Sequence, residues 1–149
     1  MKTSVYLNIG TNSGDRREFI SRAVAALRLQ PVFADALCRC SDVIETPAWG
    51  FESQYPFMNI GVAFHFQRHG AWTPAELESL LKTTQAVEKL ISDKPHRNAD
   101  GSYRDREIDI DIIAVDDIVY SSPTLVIPHP RAHLRDFVII PLRQLGKSI

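Results

Sequence analysis

The sequence predicts an α+β fold in which an antiparallel β-sheet carries helices on one face. Strand-like alternation of apolar and polar residues occurs at 4–9 and 106–113, and a long, aromatic-rich strand pattern occurs at 57–67. Helical spacing of apolar residues occurs after residue 15 and at 73–92. A chain of 149 residues with 44% hydrophobic composition can form one globular domain with a real core. We therefore expect a single domain over residues 1–149.

The first half of the chain predicts a strand, a helix and a second extended segment. Val5, Leu7 and Ile9 alternate with polar or amphipathic residues before a turn at 10–15. The helical pattern that follows ends before Pro31, because proline lacks the N–H that a helix requires. Residues 32–45 are expected to be extended.

The second half predicts a long strand, a helix and a further strand. The strand covers 57–67, and a threonine, a proline and a glutamate at 73, 74 and 76 then form a strong helix start. This helix should run to about Ser92. A polar loop with basic residues at 93–106 separates it from the strand that begins at Arg106.

The resulting order of strands and helices is the ferredoxin-like β-α-β-β-α-β arrangement. Both helices then lie on one face of the sheet, and the other face is expected to be free to bind a ligand. The rest of the chain predicts a small appendage, formed by a hairpin at 118–127 and a short amphipathic helix at 137–145.

Charge and cysteine content exclude several classes of protein. The formal net charge of -1 gives no overall field that would attract nucleic acid or anionic membranes. No apolar run approaches the roughly 20 residues that span a bilayer, and the N-terminus does not resemble a signal peptide. We therefore expect a cytoplasmic monomer. Cys38 and Cys40 share a strand face, are poorly placed to bond each other and should be reduced.

Asp109 and Asp111 are the candidate metal ligands. At about 3.3 Å per residue they lie roughly 7 Å apart on one strand face, while the neighbouring isoleucines face the core. Adjacent carboxylates repel each other, and a hard divalent cation such as Mg²⁺, bridging to substrate phosphates, relieves that repulsion. Glu107 lies on the same face, so a solvated acidic face is the alternative interpretation.

Glycine-rich phosphate fingerprints are absent. Residues 146–148 resemble the end of a P-loop, but Pro141 occupies the glycine position, so arginines and polar side chains would have to hold phosphate. The candidates are the basic loop at 93–106 and the segment in which His129 precedes Arg135. His129 and His133 lack the glutamate of a zinc-binding H-E-x-x-H motif.

A second patch suits a flat ligand. Phe57, Asn59 and Gly61 share one face of the third predicted strand, where Gly61 indicates a bulge or a close backbone approach. An amide that donates and accepts beside an aromatic ring matches a heterocycle with alternating donors and acceptors.

Together these segments resemble the 6-hydroxymethyl-7,8-dihydropterin pyrophosphokinase family of folate biosynthesis. The resemblance extends over nearly the whole chain and depends on the order and spacing of the motifs. They are YLNIGTN at 6–12, ETPAWG at 45–50, Phe57-Met58-Asn59, Gln85-x-x-Glu88, DREIDIDI at 105–112, IPHPR at 127–131 and RDF at 135–137.

The resemblance implies an enzyme that transfers the terminal diphosphate of ATP to the hydroxymethyl group of the pterin and releases AMP. It implies Arg106, Asp109 and Asp111 as catalytic residues, with both aspartates binding two Mg²⁺ ions that bridge the ATP phosphates. The implied ATP contacts are Gln85, Glu88, Arg106, His129 and Arg135, and the implied pterin contacts are Thr46, Pro47, Trp49, Phe57, Asn59 and Phe137.

Some points remain open at this stage. The loop before Arg106 lacks the Trp-Gly-Pro-Arg form of better-known members, so either Arg97 or Arg104 could supply a further phosphate contact. Residues 93–105 are expected to close over ATP. The rival functions are another Mg²⁺-dependent phosphotransferase and a non-catalytic ferredoxin-like RNA-binding module.

Overall fold

The computed structural model describes residues 1–12, 15–46, 57–92 and 108–149. The strands are β1 (Lys2–Thr11), β2 (Leu37–Cys40), β3 (Ile44–Thr46), β4 (Phe57–Gln67), β5 (Asp109–Val115), β6 (Tyr120–Ser121) and β7 (Val126–Ile127). The α-helices are α1 (Arg16–Arg28), α2 (Pro74–Ile91) and α3 (Asp136–Gln144).

The main sheet has the strand order β2-β4-β1-β5, with β3 also paired to β4 and every pairing antiparallel. This arrangement confirms the α+β, ferredoxin-like prediction. The segment expected to be extended over 32–45 is instead a short 3₁₀ turn followed by β2 and β3. Strand β2 ends just before Ser41, whose hydroxyl accepts a hydrogen bond from the Gly61 N–H at 2.8 Å.

Helices α1 and α2 cover the first face of the sheet, as predicted. The isoleucines at 9, 110 and 112 are at most 4% exposed and belong to the main hydrophobic core, together with Leu27 and Val87 from the two helices. The predicted start of α2 is confirmed, because Thr73 and Glu76 form a capping box of two reciprocal hydrogen bonds.

The second face is not free along its whole length, contrary to the expectation from the sequence. Helix α3 packs on it and forms a smaller core with Tyr6, Ala63 and Ile113. The approach is close at Gly61, where a β-carbon would lie 2.9 Å from Pro141 Cβ and 3.1 Å from Leu145 Cδ1. Gly61 therefore makes the predicted close backbone contact, but to α3 and not to a ligand.

The predicted C-terminal hairpin is formed by β6 and β7. It is attached to α2 through Glu78, whose carboxylate accepts hydrogen bonds from the hydroxyls of Tyr120, Ser122 and Thr124. Cys38 and Cys40 are free thiols. Within the described part of the chain, no helix combines the length and apolar character needed to cross a membrane.

Candidate active site

Two rows of paired residues on the second face organise the candidate site. In the first row Gly10 pairs with Asp109 on one side and with Asn59 on the other. In the second row Asn8 pairs with Asp111 and with Gly61. Because paired strands lie about 4.8 Å apart, the backbones of Asp109 and Asn59 are separated by roughly 10 Å. The predicted metal-binding and pterin-binding residues thus lie two strands apart.

Asn59 has a buried donor without a partner among the described residues. Its side chain is 4% exposed, and Nδ2 has no hydrogen-bond partner in the described part of the chain. Its Oδ1 lies so close to Gly10 that a β-carbon on residue 10 would be 2.7 Å away. An unsatisfied buried donor is unfavourable unless a ligand completes it, so this amide is suited to reading the edge of a polar heterocycle.

Two aromatic side chains lie on the same side of the sheet as Asn59. Phe57 is half-buried, pairs with Thr46 and is two residues from Asn59, so it shares the same strand face. Phe137 is half-buried at the start of α3 and packs against the smaller core on that face. Both rings therefore lie on the face that carries Asn59, and their contact with a planar ligand stays a prediction.

Glu88 joins α2 to the strand that carries the aspartates. Its Oε2 accepts a hydrogen bond from the Ile110 N–H at 2.7 Å, between Asp109 and Asp111. Burial raises the pKa of Glu88 to about 8, and the nearby charges of Asp109 and Asp111 add to this effect, although the Ile110 N–H opposes it. Three carboxyl groups thus lie near one another at the end of the site.

The donor chemistry fits magnesium held partly by substrate. Among the described residues, no group of three or more His, Cys, Asp or Glu side chains could hold a metal ion by itself. Asp109 and Asp111 are half-buried, adjacent on one face and supply hard oxygen ligands. Mg²⁺ commonly takes one or two carboxylates and completes its shell with phosphate oxygens and water, which matches such a pair.

His129, a predicted anion contact, lies near enough to Asp109 and Arg135 for both charges to act on it. The backbone N–H of His129 donates to the Ile113 carbonyl at 2.8 Å. The ring Nδ1 of His129 accepts a hydrogen bond from the backbone N–H of Arg131 at 3.2 Å. Burial lowers the pKa of His129, and the positive charge of Arg135 lowers it further, while Asp109 acts in the opposite direction. A neutral His129 with Nδ1 as acceptor carries its proton on Nε2, which can donate to an anion.

Several predicted site residues are either exposed or outside the described part of the chain. Gln85 is exposed on α2. Pro47, Trp49, Arg106, the side chain of Thr46 and the loop at 93–105 lie outside the residues that the structure describes.

Gly10 lies within the candidate site, although the site residues predicted from the sequence do not include it. Its signals in the sequence were its place in the YLNIGTN motif at 6–12 and its position at the end of an alternating strand, where a glycine is equally consistent with the start of a turn. Its contact with the Asn59 side chain depends on the pairing of β1 with β4.

Comparison with known proteins matches this arrangement of residues to one family. The model of the family described as 7,8-dihydro-6-hydroxymethylpterin-pyrophosphokinase matches residues 6–147. The chain belongs to this family. The match includes both paired rows and extends through α3, and it confirms the resemblance inferred from the motifs.

Curated relatives of this pyrophosphokinase family cover the chain almost completely. Each bears the name 2-amino-4-hydroxy-6-hydroxymethyldihydropteridine pyrophosphokinase. The protein of Porphyromonas gingivalis is 38% identical over 145 residues, which cover 95% of this chain and 90% of the relative. That of Aquifex aeolicus is 36% identical over 146 residues, 98% of this chain and 82% of the relative. That of Bacillus subtilis is 28% identical over 149 residues, 100% and 81% of the respective chains.

Membership of the pyrophosphokinase family confirms the expectation of an ATP-dependent enzyme of folate biosynthesis. ATP is the co-substrate, and the hydroxymethylpterin accepts the diphosphate. The rival interpretation as a non-catalytic RNA-binding module is thereby replaced by an enzyme with small-molecule substrates.

Proposed function

We propose that this chain transfers the diphosphate of ATP to the hydroxymethyl group of 6-hydroxymethyl-7,8-dihydropterin across the row formed by Asp109, Gly10 and Asn59, with release of AMP. The observation that carries the proposal is the position of Asp109 and Asn59 on either side of Gly10 in one sheet. A separation of roughly 10 Å leaves room for the transferred group between the phosphate side and the pterin side.

Asn59 and two aromatic rings bind the pterin in this proposal. The unpaired Nδ2 of Asn59 donates to an acceptor on the edge of the pterin, while Oδ1 faces its amino or ring N–H groups. Phe57 and Phe137 stack on the two faces of the heterocycle. The backbone at Thr46 and the residues Pro47 and Trp49 complete the contacts to the edge.

Asp109 and Asp111 hold two Mg²⁺ ions, which neutralise charge on the ATP phosphates. Glu88 fixes the strand between these aspartates through its bond to Ile110, and together with Gln85 it seats ATP. The phosphates accept charge-assisted hydrogen bonds from His129 Nε2, Arg135 and Arg106. Either Arg97 or Arg104 adds a further phosphate contact, and the loop at 93–105 closes over the nucleotide.

No protein nucleophile is required for this transfer. Phosphoryl groups pass between donors and acceptors when the reacting oxygens are aligned and the developing charge is stabilised. The side chains on β1, β4 and β5 supply these conditions from rigid strands, which hold positions better than loops do. A cytoplasmic location and a monomeric state belong to the same proposal.

The direct experiment mixes the protein with ATP, MgCl₂ and 6-hydroxymethyl-7,8-dihydropterin and measures AMP. We expect AMP from the unmutated protein and a loss of at least about a hundredfold in Asp109→Ala and Asp111→Ala, because each removes a metal ligand. Asp117→Ala is the matched control, since Asp117 is a surface carboxylate, 99% exposed, that pairs with Lys147. ADP as the product, or full activity of both aspartate variants, would contradict the proposal.

A further inference from the structure

Asn8 is a buried polar residue on the second face of β1. Its side chain is 4% exposed and lies in the row between Asp111 and Gly61. Burial of an amide is unfavourable unless its polar atoms find partners. The partner of Nδ2 is the backbone carbonyl of Phe137, at 3.0 Å and 129 residues away in the chain.

That carbonyl lacks its usual partner within α3. In an α-helix the carbonyl of residue 137 accepts a hydrogen bond from the N–H of residue 141. Residue 141 is Pro141, which lies inside α3 and has no N–H. The proline ring also displaces the carbonyl four residues earlier, which turns the Phe137 oxygen away from the helix ladder. Pro141 itself lies close to the sheet, against Gly61.

We propose that Asn8 is a positioning residue, which supplies from β1 the hydrogen bond that Pro141 cannot donate and thereby fixes the backbone of Phe137 at the edge of the active site. The inference rests on the proposed function, because Phe137 matters to catalysis only if its ring stacks on the pterin. Asn8 and Pro141 act as one unit: the proline allows close packing of α3 on Gly61, and the amide satisfies the carbonyl left without a donor.

The first test compares the KM for the pterin with the KM for ATP. Asn8→Ala is expected to raise KM for the pterin by roughly three- to tenfold, the value of one hydrogen bond, with KM for ATP nearly unchanged. Gln144→Ala is the matched control. It removes two hydrogen bonds to Asp42, at 2.9 and 3.2 Å, from the opposite end of α3. Equal effects of the two variants on the pterin KM would show that general loosening of α3 is responsible, and would overturn the proposal.

The second test uses Pro141→Ala as a suppressor. Alanine restores an N–H at residue 141 and keeps a β-carbon against Gly61, so the carbonyl of Phe137 regains a donor within the helix. We expect Asn8→Ala to raise pterin KM and amide hydrogen exchange at 138–140 in the natural background. In the Pro141→Ala background both effects should shrink to less than about twofold. Equal effects of Asn8→Ala in the two backgrounds would overturn the proposal.

Two further outcomes are distinguishable. If Asn8→Ala does not fold, Asn8→Ser replaces it in the same four-variant cycle. If the unmutated protein forms no AMP, the proposed function fails, whereas the hydrogen-exchange cycle still measures the coupling of Asn8 to Pro141. Coupling in hydrogen exchange without any change in pterin KM would leave the function intact and contradict the positioning of Phe137.

Discussion

The side-chain oxygen of Asn59 lies against the backbone of Gly10, so close that a β-carbon on residue 10 would stand 2.7 Å from it. This contact fixes the orientation of the buried amide, because the backbone of Gly10 limits how far the Asn59 side chain can move towards β1. The two residues are paired across β1 and β4. The pterin-binding role that we propose for Asn59 therefore depends on the absence of a side chain at residue 10.

Gly10→Ala should reduce pterin binding without unfolding the protein. The methyl group displaces the end of one side chain, which is a small steric change, but it moves the amide by a distance comparable with hydrogen-bond tolerance. We expect kcat/KM for the pterin to fall by roughly ten- to a hundredfold, with a small change in KM for ATP. Gly70→Ala is the control, because no atom lies within 4 Å of a β-carbon there. Unchanged pterin kinetics in Gly10→Ala would contradict the role of this contact.

Glu88→Ala should impair the use of ATP. The substitution leaves the Ile110 N–H without its acceptor and loosens β5 between Asp109 and Asp111. We expect kcat/KM for ATP to fall by about tenfold or more, and Glu88→Gln, which keeps an acceptor oxygen, to be less affected. Initial rates of AMP formation at varied ATP and MgCl₂ give the comparison, with exposed Lys89→Ala as the surface control on α2. Equal losses in the Ala and Gln variants would contradict the role of this hydrogen bond.

Gly61→Ala should destabilise the fold. Its β-carbon would meet Pro141 Cβ at 2.9 Å and Leu145 Cδ1 at 3.1 Å. The Leu145 side chain can turn aside, but Pro141 Cβ belongs to a ring fused to the α3 backbone and cannot move without shifting the helix. Overpacking of this kind costs about 1–3 kcal/mol. Urea denaturation followed by circular dichroism measures the change, and Gly70→Ala again serves as the control. A free energy of unfolding equal to that of the unmutated protein would show that α3 adapts easily.

Acid should weaken the link between β4 and the start of α2. Arg68 Nη2 lies 2.9 Å from Glu76 Oε2, and this hydrogen bond, with the Thr73 N–H, lowers the pKa of Glu76 from 4.5 to about 2. A lowered pKa means that ionised Glu76 stabilises the folded state above about pH 4.5, and that this contribution is lost as the pH falls towards 2. Urea denaturation between these pH values should show a weaker pH dependence in Glu76→Gln. An equal pH dependence of the free energy of unfolding in the two proteins would contradict the stabilising role of ionised Glu76.

The strands and helices could be predicted because each depends on short-range pattern. The alternation in 57–67 and the capping residues at 73 and 76 predicted β4 and the start of α2 closely. The extended segment at 32–45 was predicted less well, because the break at Ser41 depends on a hydrogen bond to Gly61 in another strand. The position of α3 had no local signal, since an amphipathic pattern shows that a helix is buried on one side but not what it packs against.

Local sequence pattern is enough to predict which groups the candidate site contains. The period of a strand puts Asp109 and Asp111 on one face, and Phe57 and Asn59 on another strand's face, whatever the rest of the fold does. How these groups face one another depends on strand pairing and helix packing. Strand pairing placed Gly10 between Asp109 and Asn59, α2 brought Glu88 to the Ile110 N–H, and α3 brought the Phe137 carbonyl to Asn8. Such contacts join residues far apart in the chain, so they follow from packing and register and not from local sequence pattern.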